Sequence, residues 1–250
     1  MIKYTVLIFT SFFMILFLNG CSSSQDVYIS DTGEGTVSID INLDDMLTGY
    51  AGDLLGGFSN TESSEINLFD IKKISSIISD LESVSLTDIS SESSEILYLE
   101  LDFIDPGKIF DESDKPGTPN LISFSTRRVG DKDRKKISLY LSKGNFNTVM
   151  SLVGMKDSEI LDTFGPQDNP YSKSEYLDLM EFLFEEYESS WKIRSIIKSS
   201  EVLIKLKVDG RIIDCDGCTI SDSGSMTVIK IPLLDIVTLE KPIQITVEWE

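Results

Sequence analysis

Apolar residues recur at every second position through much of this chain, and that period of two constrains the fold more than any other feature. Val37, Ile39, Ile41 and Leu43 alternate with polar neighbours, as do Val202, Ile204, Leu206 and Val208. Successive side chains of a strand point to opposite faces, so each run reads as a strand with one face in a core and one in water. Val27-Tyr28-Ile29 precedes the first run across the turn Asp31-Thr32-Gly33-Glu34-Gly35, which predicts a hairpin. Ile96 to Phe103 reads as another strand, ending near Pro106-Gly107. Leu121 to Arg128 and Lys135 to Leu141 read as hairpin arms closed through residues 129–133. Met226, Val228, Ile229 and Ile231 form a strand, and Ile243 to Trp249 a terminal one. Asp209-Gly210 has the composition of a two-residue hairpin turn, which predicts a return strand starting at Arg211 to Ile213.

Helical spacing appears between these runs. Ile71, Ile74, Ile77, Ile78 and Leu81 share one helix face. Ser172 and Glu175 form a capping box, followed by Tyr176, Leu179, Met180, Leu183, Phe184 and Tyr187 on one stripe. Shorter helices are expected at Phe146 to Val153 and at Ile160 to Phe164, while 59–64, 90–95 and 111–120 read as loops. The expected fold class is α+β: one domain over 27–250, with a mostly antiparallel sheet of about seven or eight strands and helices packed on one side.

Charge and composition narrow the chemistry. A hydrophobic fraction of 41% supports a core, and a net charge of -20 disfavours nucleic acid as a partner, because such a surface repels phosphate polymers. There is no histidine, which removes the commonest general base and the commonest metal ligand. The expectation is a protein that is not an enzyme and takes no cofactor. Asp40, Asn42 and Asp44 suggest a calcium loop, but Asp45 and Ala51 stand where that loop needs Gly and Glu, so no metal is expected. The ridge Glu175, Asp178, Glu181 and Glu185 is the place where carboxylates are neighbours, and it reads as a solvated helix face.

Three segments are candidate sites. Arg127, Arg128, Lys132, Arg134, Lys135 and Lys136 concentrate positive charge on one hairpin, either to dock an acidic partner or to blunt an edge strand. Leu47, Tyr50, Leu54, Leu55 and Phe58 fall at helical spacing among several glycines, as a surface for an apolar ligand or as a close-packed helix. Cys215-Asp216-Gly217-Cys218 reads as a disulfide staple, because no helix follows to activate a thiol and two thiolates alone make a poor zinc site.

Residues 1–20 have the form of an export signal: Lys3, then an apolar run from Val6 to Leu18 that is shorter than the ~20 residues of a membrane span. The run ends in Leu18-Asn19-Gly20-Cys21, which resembles the lipobox of bacterial lipoproteins, some spirochaete-like in their looser boxes; Asn19 departs from the small residue usual there. The resemblance implies cleavage before Cys21, diacylglycerol on its sulfur and an acyl chain such as palmitate on its new amino group. It also implies a cell-envelope location, anchored to a membrane and facing the periplasm or exterior. Residues 21–26 then read as the lipidated cysteine and a short polar tether. The C-terminal stretch around Met226 to Ile231 and Pro232-Leu233-Leu234-Asp235 resembles the β-rich ends of mycobacterial LppM-like lipoproteins over about a quarter of the chain.

The function expected from these features is a membrane-anchored envelope lipoprotein that binds or scaffolds another envelope protein without catalysis. The alternatives are a carrier or sensor of an apolar ligand and, third, a thiol-redox or carboxylate-dependent enzyme. Mass spectrometry of the mature N-terminus tests the anchor: acyl mass is expected on the wild-type chain and lost in Cys21→Ala, and its retention in the variant would refute lipidation at that sulfur.

Overall fold

The computed structural model describes residues 22–46, 48–50, 69, 71–93, 95–109, 120–146, 165–166 and 170–250. The leader with Cys21, the candidates Leu47, Leu54, Leu55 and Phe58, and the helices expected over 149–164 lie outside the described residues.

The chain is α+β. Its elements are β1 (Ser22–Ile29), β2 (Gly35–Asn42), α1 (Ile71–Ser79), β3 (Val84–Ser93), β4 (Ile96–Phe103), β5 (Ile122–Val129), β6 (Lys132–Leu141), α2 (Lys173–Phe184), α3 (Ser190–Ser199), β7 (Glu201–Val208), β8 (Ile212–Asp216), β9 (Thr219–Ile220), β10 (Met226–Pro232), α4 (Leu233–Thr238) and β11 (Ile243–Trp249). The strands form two sheets rather than one. Seven follow the order β3-β4-β2-β1-β7-β10-β9, and four follow β5-β6-β11-β8. All pairings are antiparallel except that of β1 with β7.

The registers place inward side chains in rows across the large sheet. Leu101, Val37, Val27 and Leu206 form one row, continued by Thr227. Leu99, Ile39, Gln25, Ile204 and Ile229 form the next, and Leu97, Ile41, Ser23, Val202 and Ile231 the one after. On the opposite face Asp26, Asp40, Asp102 and Lys205 meet solvent to different degrees. That is the alternation expected of a sheet wetted on one side.

The inner face is covered by two kinds of element. At one end Ile41, Leu97 and Leu99 pack with Tyr176, Met180 and Phe184 of α2, Ile193 and Ile197 of α3, and Leu233 and Val237 of α4. At the other, Ile29, Phe103 and Val208 pack with Ile212, Val247 and Trp249 of the small sheet. The capping box of α2 forms as expected: Ser172 N–H donates to Glu175 Oε2 at 2.8 Å, and Glu175 N–H to Ser172 Oγ at 3.3 Å.

Four features differ from the sequence expectation. Ser22 to Gln25, read as tether, are half of the central strand, hydrogen-bonded on both edges. Asp209-Gly210 does not close a hairpin: β7 pairs with β1 and β10, while β8 joins β11 in the other sheet. The backbones of Arg211 and Glu250 bond each other there, which pulls the chain across. Ser90 to Ser93, read as loop, end the edge strand β3, whose register with β4 shifts twice. Finally, α3 and α4 were not apparent, and α4 stands where a connector was expected after Pro232.

Gly35 is where the β1–β2 hairpin is tightest. A Cβ there would lie 1.9 Å from the Tyr28 carbonyl oxygen and 2.6 Å from Phe103 Cζ, whereas at Gly130, with φ of 63°, nothing lies within 4 Å. In urea unfolding, Gly35→Ala is therefore expected to cost about 3 kcal/mol, and Gly130→Ala about 1 kcal/mol from left-handed backbone alone. Equal losses would show that the contact at Gly35 relaxes freely.

Candidate functional site

Between the inner faces of the two sheets lies a cavity of about 430 Å³, flanked by α1. The large sheet contributes Val27, Val37, Ile39, Leu101 and Leu206, and the small sheet Ile137, Leu139, Ile245 and Val247. Ile74, Ile77 and Ile78 of α1, with Leu81 just beyond it, complete the wall. These are mostly branched aliphatic side chains, whereas Tyr176 and Phe184 fill the helical end and Trp249 the other. Facing sheets pack about 10 Å apart when side chains interdigitate; here the aliphatic rows leave space between them.

Among the described residues that line the cavity, Gln25 alone has a polar side chain. Ser23 is the next inward position on β1, only 8% exposed, and its Oγ is buried without a hydrogen-bond partner. A buried hydroxyl left unpaired costs about 1–3 kcal/mol. Thr227, in the neighbouring row, shows the ordinary solution: its hydroxyl donates to the Thr219 carbonyl at 2.9 Å. The sequence carried a signal for this pair, polar residues just before the strand Val27-Tyr28-Ile29, but it looked like a tether.

The hairpin cations are placed by β5 and β6. Arg127 and Lys136 meet Glu248, and Lys132 and Arg134 meet Glu250, with Lys132 Nζ 2.7 Å from its partner oxygen. Lys135, facing inward and 9% exposed, is held by Asp31 in the β1–β2 turn, which ties the two sheets together. Arg128 lies opposite Asp133 in the strand register. Their charge is thus largely matched within the fold rather than displayed to a partner. Tyr50 stacks edge-on against Phe184 and Tyr187 in the helical core, with ring centroids 4.9 and 5.7 Å away, and does not line the cavity. Cys215 and Cys218 are joined in a disulfide, Cα atoms 5.8 Å apart, across the Asp216-Gly217 turn.

The carboxylate ridge of α2 also finds partners. Arg194 of α3 bonds Asp178, and Glu181 at 2.6 Å. Hydrogen bonds from Ser190 and Arg194 hold the Glu181 carboxyl below the usual range, and the Ser172 backbone does the same for Glu175. A general acid needs a shift in the other direction. Among the described residues, no group of three acidic or cysteine side chains is placed to hold a metal, and no helix is long and apolar enough to cross a membrane.

An α+β fold with an aliphatic cavity between two sheets is therefore the class of protein these residues build. No family model and no curated protein matches the chain. Among solved structures, the NMR structure of the folded domain of Mycobacterium tuberculosis LppM is similar over 92% of this chain and 89% of its own, at 10% identity and a TM-score of 0.31. That resemblance is faint and says nothing about activity.

The ion pairs make a pH prediction. Glu250 is held below the ordinary glutamate range, first by its hydrogen bond from Lys132. A depressed folded value means that its stabilising contribution is complete above the unfolded value and is lost as pH falls through the folded one. NMR titration of the Glu250 side-chain carboxyl should give a midpoint below the ordinary range that rises in Lys132→Met; an unmoved midpoint would rule Lys132 out as the cause.

Proposed function

We propose that this chain carries an apolar ligand in the cavity between its sheets, and that it does so tethered to a membrane of the cell envelope through a lipidated Cys21. The observation that carries the reading is the wall itself, built from the aliphatic rows of both sheets and of α1 with a single polar side chain among its described residues. Its volume falls within the range of small-molecule sites, about 300–1,000 Å³. Each methylene moved from water into such a site gains ~0.8 kcal/mol, so a hydrocarbon chain is the kind of ligand that the wall rewards.

The anchor and the cavity support one another in this reading. An apolar molecule stays in a bilayer rather than in water, and a protein held at the bilayer surface exchanges it without crossing solvent. No catalysis is needed for this role. The scaffolding reading draws less support from the hairpin, its candidate docking site, because the cations there are largely matched by Glu248, Glu250 and Asp31.

Thermal unfolding of the delipidated full chain in amphipol, with and without 1-dodecanol or dodecane, tests the proposal. Saturating ligand is expected to raise the melting temperature by about 5 °C or more. Val37→Phe, which fills the cavity from the middle of its wall, should leave the ligand-free melting temperature equal or higher and abolish the shift. A wild-type chain stabilised by neither compound would refute the carrier role.

A further inference from the structure

The inner face of the large sheet is apolar in row after row except at Thr227, whose hydroxyl is bonded to the Thr219 carbonyl, and on its central strand. Gln25 interrupts the row from Leu99 to Ile229, and Ser23 interrupts the row from Leu97 to Ile231. Neither side chain is bonded to another part of the described chain: Ser23 Oγ is buried without a partner, and Gln25 faces the cavity. A core strand in this position would carry Val or Ile, as its neighbours do, and an unpaired polar group inside a core is a standing cost that natural cores avoid. Ser23 bears that cost beside the cavity, whereas Gln25, half-buried and about 7 Å further along the strand, lines the cavity itself, where a ligand can supply its hydrogen bonds.

From this placement, which rests on the carrier reading above, we infer that Gln25 is the polar anchor of the cavity, and that the ligand is a single hydrocarbon chain ending in an uncharged hydrogen-bonding head. The amide of Gln25 offers both donors and an acceptor. It suits a hydroxyl, which donates and accepts, or an ester, which only accepts. A carboxylate or phosphate would need a cation, and none of the described residues that line the cavity is one. Lys135, the cation in the inward register of β6, is already taken by Asp31. The rest of the wall offers contact only to hydrocarbon. A volume of about 430 Å³ holds a chain of roughly a dozen methylenes if each takes about the ~30 Å³ of a water molecule.

The test compares 1-dodecanol, dodecane and dodecanoate at pH 8 as ligands of the delipidated full chain in amphipol, with affinities read from the concentration dependence of the melting temperature. The comparison runs between wild type, Gln25→Leu and Ser23→Ala, so that partition of each compound into amphipol cancels. Wild type is expected to bind dodecanol at least ten times more tightly than dodecanoate. Gln25→Leu should weaken dodecanol about tenfold and leave dodecane unchanged, while Ser23→Ala, whose hydroxyl lies outside the cavity lining, should leave both unchanged. Ligand-free Gln25→Leu should melt no lower than wild type, since it removes an unpaired polar group; Gln25→Met, with the same chain length, replaces it if Leu does not fold. Dodecanol affinity that is equal in wild type and Gln25→Leu, or dodecanoate bound as tightly as dodecanol, would overturn the anchor while leaving the cavity a hydrocarbon site. Failure of all three compounds to stabilise wild type would instead refute the carrier reading itself.

Discussion

The parallel pairing of β1 with β7 is the constraint on which the rest of the fold depends. β1 lies between β2 and β7, and all eight of its residues are paired on the β7 side, from Ser22 with Glu201 to Ile29 with Val208. Strands joined in parallel need a long crossover, and here it comprises everything from β2 to α3. A slip of one residue in β1 would turn Val27 and Ile29 outward and carry Asp26 and Tyr28 into the core. Through β2 and β7 the same slip would offset every row of the large sheet. The cavity wall is therefore a consequence of register, and register is set where β1 meets its two neighbours.

The small sheet is held in place by a different balance. Trp249, fully buried, packs with Val208 and Ile212 and stands 6.0 Å from the Phe124 ring, while Lys135 crosses to Asp31. Outside, Glu248 and Glu250 meet Arg127, Lys132, Arg134 and Lys136. Exposed pairs of this kind contribute little individually, about 0–1 kcal/mol each. Their more certain effect is to match charge locally: a cationic hairpin in a protein of net charge -20 finds its counter-ions one strand away.

Legibility in the sequence followed the strength of local pattern. The strands at Gly35–Asn42, Ile96–Phe103 and Ile243–Trp249 and the helix starting at Lys173 were readable because the period of two, or the capping box, is written in consecutive residues. The α+β class followed from them. The division into two sheets was not readable, because Asp209-Gly210 carries a strong hairpin signal that tertiary pairing overrides: Ile212 pairs and packs with Trp249 instead of turning back along β7. β1 was read too short because its inward residues Ser23 and Gln25 are polar, so its first half lacks the alternation that reveals a strand. The cavity could not be read at all. Its wall comes from both sheets and a helix, and whether facing aliphatic rows fill or leave the space between them depends on volumes that no local pattern records.

That failure to read β1 bears on function. Sequence rules fail at Asp209-Gly210 because tertiary pairing overrides a local signal, and they fail also where a second demand stands beside folding. At Ser23 and Gln25 the broken rule is the apolar inner face, and it is broken at the middle of the sheet, where an apolar residue would be most rewarded. A volume of about 430 Å³ walled by aliphatic side chains leaves apolar surface uncovered, and an apolar occupant gains about 25 cal/mol for each Å² it removes from water. An occupant would then contribute to the fold as well as being carried by it. The same rows that make β1 a poor strand to read make it a suitable place to hold one end of such a molecule.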